Sequence, residues 1–260
     1  MELGLAGKVA LVTGASRGLG EAISIELANQ GMRVCLLGRD EKRLQNVARA
    51  ISEAGGQCAY LAADVADPGT ADAAVVFTRE KFGRLDLLVN SAGTTKRGDF
   101  FKLSDADWND GFAVKFFGAL RLSRAAWPLL RDSRGTIINI IGIGGYAAAG
   151  DGAIPGTVNA AFMNLTKALA QIGVRDGIRV NAINPGRIET DRLKINSERL
   201  AREGGISAEE ALERLRKACG IARFGKPKEI AAVVAFLASA NADFFQGSLV
   251  DVDGGELQSI

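Results

Sequence analysis

Short, continuously apolar runs alternate with longer amphipathic stretches along almost the whole chain of 260 residues. Runs without regularly spaced polar positions are typical of strands that are covered on both faces, as in a parallel sheet. The predicted strands are residues 8–14, 33–38, 57–65, 85–93, 135–142, 178–186 and 247–255. The predicted helices are residues 18–30, 41–54, 70–82, 104–131, 153–175 and 226–238. This alternation predicts an α/β fold.

The same alternation predicts how the elements are connected. Parallel strands joined by helices form right-handed crossovers, and a series of them gives a doubly wound sheet with helices on both faces. No linker-like or repeated segment interrupts the series. We therefore predict a single domain over residues 1–260 with a central seven-stranded parallel sheet.

The composition excludes several classes of function. The chain has 32 basic and 30 acidic residues and a net charge of +2, which gives no electrostatic reason to expect a nucleic-acid or membrane partner. It has no histidine, so a Ser-His-Asp hydrolase and a histidine-ligated zinc enzyme are excluded, and no metal site is predicted. The three scattered cysteines, and the lack of a signal peptide or an apolar run of about 18 residues, predict a cytoplasmic protein.

The sequence TGASRGLG, residues 13–20, lies directly between the first predicted strand and the first predicted helix. Its glycines at 14, 18 and 20 allow a sharp turn and a close approach of the backbone to a pyrophosphate, which the helix N-terminus attracts. The spacing G-x-x-x-G-x-G also fits a strand-to-helix turn that binds nothing. The loop alone leaves both interpretations open.

Further motifs follow the later strands in order: Asp64-Val65, NSAG at 90–93, NPGRIET at 184–190 and VDGG at 252–255. Together with the glycine loop they resemble the short-chain dehydrogenase/reductase family, from about residue 5 to residue 255. The resemblance implies a Rossmann-type domain in which Asp64-Val65 contacts adenine. It also implies that NSAG lines the ribose and nicotinamide, and that NPGRIET closes over the nicotinamide. The implied cofactor-binding residues are Gly14, Ser16, Arg17, Gly18, Leu19, Gly20, Arg39, Asp64, Val65, Asn90, Ala92, Gly93, Pro185, Gly186, Ile188 and Thr190.

The end of the second strand predicts which dinucleotide binds. An NAD-specific site needs a carboxylate there for the ribose 2′-hydroxyl, but this chain has Gly38 followed by Arg39. Arg17 in the glycine loop supplies a second guanidinium, and arginine recognises phosphate well. Arg39 also fits a solvated turn, but the residues favour NADP(H) over NAD(H).

The family's ordinary mechanism uses an asparagine, a serine, a tyrosine and a lysine. The match continues without a gap across these positions, which fall on Lys115, Gly142, Pro155 and Asn159, so that all four residues differ. Proline and glycine have no side-chain group that transfers a proton. The resemblance therefore implies an atypical active site in which the ordinary mechanism cannot operate.

The candidate catalytic residues are Lys115, Tyr146 and Asn159. Lys115 and Asn159 exchange the identities of two positions that face each other in the family, so Lys115 is a candidate to hold the nicotinamide ribose or an anionic substrate. A lysine whose charge reaches the surface is the alternative. Tyr146, in the glycine-rich loop after the fifth strand, is a candidate proton donor whose pKa Lys115 would lower, or else part of the pocket wall.

Residues 187–224 match the family's substrate lid. The basic side chains of this segment are Arg192, Lys194, Arg199 and Arg202. They favour either a solvated amphipathic lid or the recognition of an anionic small-molecule substrate. The helices at 104–131 and 153–175 and the last strand resemble the family's subunit interfaces, which implies a homotetramer or a homodimer.

Three hypotheses about function remain open. The first is an NADP(H)-dependent oxidoreductase acting on a carbonyl or alcohol. The second is a catalytically inactive NADP(H)-binding sensor or partner subunit, and the third is a lyase or isomerase on the same fold. The complete dinucleotide motif series favours the first two over the third.

Overall fold

One sheet forms the centre of the computed structural model, which describes residues 2–93, 95–147 and 149–258. Its strands are β1 (Val9–Thr13), β2 (Arg33–Gly38), β3 (Gln57–Ala62), β4 (Leu87–Asn90), β5 (Thr136–Ile140), β6 (Arg179–Pro185) and β7 (Leu249–Val252). They are all parallel, in the order β3-β2-β1-β4-β5-β6-β7. The predicted seven-stranded parallel sheet is confirmed.

Helices cover both faces of the sheet. They are α1 (Gly18–Asn29), α2 (Glu41–Glu53), α3 (Thr70–Phe82), α4 (Asp105–Phe112), α5 (Gly118–Ser133), α6 (Ala153–Asp176), α7 (Asp191–Gly204), α8 (Ala208–Ala218) and α9 (Pro227–Ala238). Within the three described ranges, no helix combines the length and the apolar composition needed to cross a membrane.

The strands are buried on both sides, which explains their continuous apolar sequence. In β1, Ala10 and Val12 pack with α1, α2 and α9, whereas Val9 and Leu11 pack with α3 and α5 on the opposite face. Successive side chains of a strand point to opposite faces, so both sets of positions must be apolar here. The chain order reverses between β1 and β4, and the carboxyl ends of these strands open a crevice there.

The helix predicted over residues 104–131 forms, but it is not a regular α-helix throughout. A π-helical turn (Ala113–Phe117) lies between α4 and α5. At Gly118, where α5 begins, a Cβ atom would lie 3.0 Å from the carbonyl oxygen of Val65, so the small residue lets the helix approach the loop after β3. Hydrophobic periodicity does not reveal such a turn, because one wider turn shifts the side chains by only one position.

The carboxylate of Asp86, the residue directly before β4, is buried at the end of the strands opposite to the crevice. It accepts hydrogen bonds from the backbone amide of Val9 (2.9 Å) and from Nη2 of Arg84 (2.6 Å). Its side chain is 6% exposed, whereas that of Arg84 is 52% exposed. The carboxylate therefore fixes the start of β1 against the residue that precedes β4.

Replacing Asp86 by alanine should lower the free energy of unfolding by about 2–3 kcal/mol, because it leaves the buried amide of Val9 without an acceptor. Urea denaturation measures the change. Asp132→Ala, an exposed aspartate at the end of α5, is the matched control and should change the same quantity by less than about 0.5 kcal/mol. A loss for Asp86→Ala no larger than that of the control would contradict this role.

Candidate active site

Two loops interlock at the carboxyl ends of β1 and β4. The hydroxyl oxygen of Thr13 accepts hydrogen bonds from the backbone amides of Ser91 (3.0 Å) and Ala92 (2.9 Å). Gly14 has φ +66°, and a Cβ atom there would lie 2.9 Å from the Cα atom of Ala92. Only glycine therefore fits this approach, which joins the glycine loop to the NSAG loop.

The glycine loop leads into the N-terminus of α1. Arg17 is the extended residue before the helix, and Gly18 has φ +61°. A Cβ atom at Gly20 would collide with the carbonyl oxygen of Gly14, so the loop folds directly back on the helix. The first amides of α1, including that of Leu19, have no acceptor within the helix, which makes this end suited to an anionic group.

The end of β2 offers arginine instead of a carboxylate. A Cβ atom at Gly38 would lie 3.4 Å from Oγ of Ser16, so the two loops touch here. Nη1 of Arg39 lies 3.3 Å from Oδ2 of Asp64, with side chains that are 64% and 29% exposed. The neighbouring carboxylate of Asp40 caps α2 by accepting from the amide of Arg43, and so faces the helix.

Arg192 of α7 reaches across the crevice to the NSAG loop. Its Nη2 donates to the carbonyl oxygen of Gly93 at 2.8 Å. Desolvation of the guanidinium, followed by the charges of Arg17 and Arg97, lowers the pKa of Arg192. Over the described residues, neither Arg17 nor Arg192 has a carboxylate within ion-pair distance. Three positive side chains therefore converge on the crevice.

The remaining implied cofactor residues lie around the same crevice edge. Val65 is 7% exposed and packs against α5, and Gly186 follows the end of β6 with its amide donating to the carbonyl of Val252. Pro185 is the last residue of β6, Ile188 pairs with residue 225 in an isolated bridge, and Thr190 is the cap of α7.

A buried polar network crosses the sheet beneath the site. Nδ2 of Asn90 donates to Oδ1 of Asn139 (2.9 Å), and Nδ2 of Asn139 donates to Oγ1 of Thr166 (2.9 Å). Oδ1 of Asn90 is buried and has no hydrogen-bond partner. A buried acceptor without a donor is costly, so this oxygen marks a position where a polar ligand atom or water would gain a hydrogen bond.

Lys115 lies at the centre of the site, in the π-helical turn, and is 8% exposed. Its Nζ donates to Oδ1 of Asn159 at 2.7 Å and to the carbonyl oxygen of Ile141. Asn159 is itself 6% exposed, and its Nδ2 donates to the carbonyl oxygen of Gly142 at 3.3 Å. The structure therefore brings the two exchanged residues into direct contact.

Burial, followed by the charge of Arg192, lowers the pKa of Lys115 to about 7. The stem of Lys115 runs along Gly93, where a Cβ atom would lie 3.2 Å from the lysine Cδ atom. The lysine is therefore a buried amine that changes charge near neutral pH, and its stem touches the loop that also binds Arg192.

The other two positions that differ from the family's ordinary set, Gly142 and Pro155, carry no reactive group. Gly142 follows β5 with φ +125°, and a Cβ atom there would lie 3.4 Å from Nδ2 of Asn159. Pro155 lies in the first turn of α6, where the missing amide hydrogen costs no helical hydrogen bond. Asn159 therefore faces the space where a side chain at position 142 would be.

Tyr146 does not have the environment expected from the sequence. It is 44% exposed, and its hydroxyl oxygen accepts from Nδ2 of Asn184 at 3.4 Å. Burial, followed by the charge of Asp251, raises its pKa, and Lys115 has no part in the shift. The prediction that Lys115 lowers the pKa of Tyr146 is wrong. The groups that act on the tyrosine hydroxyl are Asn184 on β6 and Asp251 on β7, and not a residue of the π-helical turn.

Sequence reasoning missed three features of this site. These are the π-helical turn around Lys115, the contact of Arg192 with the Gly93 carbonyl, and the role of Asn184 as the partner of Tyr146. The run FAVKFFGAL, with one lysine among apolar residues, was the signal that pointed to a buried charge. The other two contacts join distant parts of the chain and leave no local pattern.

The buried amine should make stability depend on pH. The folded state has lost the proton of Lys115 above about pH 7, whereas the unfolded chain keeps it up to its ordinary pKa of 10.5. The unfolded state therefore binds more protons between these values, and the free energy of unfolding should rise with pH, by up to about 1.4 kcal/mol per pH unit, relative to Lys115→Met.

Urea unfolding at about pH 6.5, 8 and 9.5 measures this slope, with Lys228→Met, an exposed lysine of α9, as the matched control. The control should keep the wild-type slope. Identical slopes for the wild type and Lys115→Met would show that Lys115 keeps an ordinary pKa in the folded state.

Comparisons with known proteins place the chain in a family. Residues 14–256 match the family described as Enoyl-(Acyl carrier protein) reductase. The chain is 35% identical to the Short-chain reductase protein NovJ of Streptomyces niveus over 95% of this chain and 93% of that protein. It is 36% identical to the 3-oxoacyl-[acyl-carrier-protein] reductase FabG of Escherichia coli (strain K12), over 96% and 97%.

Solved structures agree with this result. The L-sorbose reductase from Gluconobacter frateurii, complexed with NADPH and L-sorbose, superposes with a TM-score of 0.96 at 35% identity, over 100% of both chains. A Serratia marcescens short-chain dehydrogenase/reductase mutant superposes with a TM-score of 0.86 at 33% identity, over 97% of this chain and 98% of that one. The chain belongs to the short-chain dehydrogenase/reductase family.

Proposed function

We propose that this protein is an oxidoreductase that binds NADP(H) and acts on the carbonyl or alcohol group of a small molecule through an atypical active site. Its relatives include reductases, and two of the similar solved structures, the L-sorbose reductase and the actinorhodin polyketide ketoreductase mutant, are described with NADPH. The observation that carries the proposal is the group of arginines at the crevice, with no free carboxylate at the end of β2.

The residues of the crevice fit each part of NADP(H). The N-terminus of α1 and Arg17 suit the pyrophosphate, and Asp64 with Val65 suits the adenine. Arg39 is available for the 2′-phosphate, because its contact with Asp64 is an exposed pair of the kind worth about 0–1 kcal/mol, which a phosphate readily replaces. Below the same crevice, Oδ1 of Asn90 is a buried acceptor without a hydrogen-bond donor.

The nicotinamide half of the site is closed by the NSAG loop and by the segment after β6. The reduced cofactor would supply a hydride here, and the protein would supply the proton and the orientation. The residues that would line this half are Asn90, Ala92, Gly93, Pro185, Gly186, Ile188 and Thr190. A lid over residues 187–224 is part of the proposal, and the bond from Arg192 to the Gly93 carbonyl supports it.

The active site departs from the family's ordinary set at Lys115, Gly142, Pro155 and Asn159. The hydrogen-bonded pair of Lys115 and Asn159 favours an enzyme over an inactive NADP(H)-binding sensor or partner subunit. A protein that only binds the nucleotide has no need to bury an ammonium, and an apolar pair would fill the same space at lower cost. The retained dinucleotide crevice disfavours a lyase or isomerase.

The substrate is proposed to be anionic. Arg97 pairs with Asp151 at 3.0 Å, and Arg199 of α7 pairs with Glu203 at 2.8 Å. Over the described residues, Arg192 has no carboxylate within ion-pair distance. With Arg192 nearby, the mouth of the site has an excess of positive charge. Such an excess attracts and orients a negatively charged small molecule.

NADPH should bind at least ten times more tightly than NADH, because two arginines and no free carboxylate surround the 2′ position. Titration of each nucleotide with intrinsic fluorescence as the signal measures both dissociation constants. Arg39→Asp should narrow or reverse the preference, since it places a carboxylate at the end of β2. Equal affinities in the wild type, or tighter binding of NADH, would contradict the proposed cofactor.

Arg49→Asp is the matched control for this experiment. It makes the same change of charge on α2, at an exposed position outside the crevice. It should leave the ratio of the two dissociation constants unchanged. A change as large as that of Arg39→Asp would show that the preference reflects net charge instead of a contact with the 2′-phosphate.

The protein is also proposed to form a homotetramer or a homodimer. Ile172 (44% exposed) and Val174 (71% exposed) lie on α6, and Phe117 (43% exposed) precedes α5. Apolar side chains on these two long helices suit a subunit interface. Light scattering at micromolar concentration should give two or four times the monomer mass, and Val174→Asp should lower it. A monomeric wild type would contradict this proposal.

A further inference from the structure

The ammonium group of Lys115 has a hydrogen-bonding capacity that its surroundings do not use up. An ammonium has three donors, and two of them go to Oδ1 of Asn159 and to the carbonyl oxygen of Ile141. Over the described residues, no third acceptor contacts Nζ. The fixed pair of acceptors holds the group in place and leaves one N–H for another oxygen.

The surroundings of Nζ leave room for a small oxygen-bearing group. Gly93 and Gly142 lie on either side of the Lys115–Asn159 pair, and neither has a side chain. Among the described residues, a Cβ atom at Gly142 would meet only Nδ2 of Asn159 and the carbonyl of Pro185 within 4 Å, which leaves space above this residue. A small oxygen-bearing group above Gly142 would therefore lie beside the hydrogen-bonded pair of Lys115 and Asn159.

Among the residues that the structure describes here, no other group is equipped to donate a proton near neutral pH. The chain has no histidine. The hydroxyl of Tyr146 is bonded to Asn184, and its pKa is raised. Asp151, the carboxyl group on the neighbouring loop, is paired with Arg97 and Arg199.

The charged groups around Lys115 keep its proton easy to release. Arg192 of α7 acts on it directly, and Arg17 and Arg97 act on Arg192. Tyr146 on the loop after β5 is neutral at pH 7, and Asn159 of α6 has no charge. Burial, followed by the charge of Arg192, gives Lys115 a pKa of about 7, which is the range where a general acid works best.

We propose that Lys115 is the proton donor of the reaction, and that Asn159 is its positioning residue. This inference rests on the proposed function. During reduction, the hydride that NADPH supplies forms the new C–H bond at the carbonyl carbon. The π electron pair of the C=O bond moves to oxygen, the Nζ–H bond of Lys115 breaks, and an O–H bond forms. The products are the alcohol, NADP⁺ and a neutral lysine amine, which takes its proton back from solvent.

The state of Lys115 can be measured without any turnover. In the full-length protein labelled with ¹³C at the lysine ε-carbons, one resonance should shift with a midpoint near pH 7, with and without saturating NADP⁺. That resonance should be missing in Lys115→Gln and present in Lys228→Gln, an exposed lysine of α9. If every lysine resonance titrates above about pH 9, the proposal is overturned.

The proton transfer is tested with NADPH and three carbonyl probes, L-sorbose, acetoacetyl-coenzyme A and 2,3-butanedione. At saturating NADPH, Lys115→Gln should lower the reduction rate of any probe that the wild type reduces at least 100-fold. Lys228→Gln should leave this rate unchanged. Lys115→Arg should also fail, because a guanidinium keeps its proton. Ethylamine should restore part of the rate of Lys115→Ala. The wild-type reduction rate should fall as pH rises through about 7, while alcohol oxidation should rise.

Each result has one meaning. A Lys115→Arg variant close to the wild type would overturn proton donation and leave only a role for the positive charge. A Lys115→Gln variant that reduces the probes at the wild-type rate would exclude both proton donation and a role for the charge. A wild type that binds NADPH but reduces none of the three probes would overturn proton donation to a carbonyl group. If the wild type binds no NADPH, the proposed function fails, and the lysine titration still reports the state of Lys115.

Discussion

The burial of one ammonium group beside an amide organises the centre of this site. Lys115 and Asn159 come from different helices and meet at the carboxyl end of β5, where Asn159 also bonds to the backbone of Gly142. A buried charge without acceptors would destabilise the fold by several kcal/mol. The π-helical turn therefore carries the lysine, Gly93 leaves room for its stem, and the amide of Asn159 accepts from its ammonium group. These three features together accommodate the buried ammonium group of Lys115.

The cofactor crevice is built by a different constraint, the close contact of two loops. Thr13 and Gly14 fix the glycine loop against Ala92, so the N-terminus of α1 and the NSAG loop lie on the same edge of the sheet. Arg192 then joins α7 to this edge. Arg192, whose charge helps to lower the pKa of Lys115, lies close enough to Arg17, which suits the pyrophosphate, for the two charges to interact. Cofactor binding and proton transfer would therefore be coupled, because bound phosphates reduce the field that acts on the lysine.

Much of the fold was predictable from the sequence, and the reasons are physical. Strands such as β1 are buried on both faces and so are continuously apolar, and the turns that need glycine have it, as at Gly14. The meeting of Lys115 with Asn159 was also predictable, since both positions follow from the family match. The environment of Tyr146 was not, because Asn184 and Asp251 approach it from β6 and β7, and neither contact leaves a local pattern. The π-helical turn was not predictable either, because hydrophobic periodicity does not report one wider turn.

The central claim is that Lys115 faces the reacting atoms, and a crystal structure of the complex with NADP⁺ tests it most directly. For proton donation, Nζ must lie on the open side of the nicotinamide ring, within about 6 Å of its C4 atom, so that a carbonyl group fits between them. We expect Nζ in this position, still bonded to Asn159. An ammonium that bonds only to the nicotinamide ribose, or that lies behind Asn159 and farther than about 8 Å from C4, would contradict it.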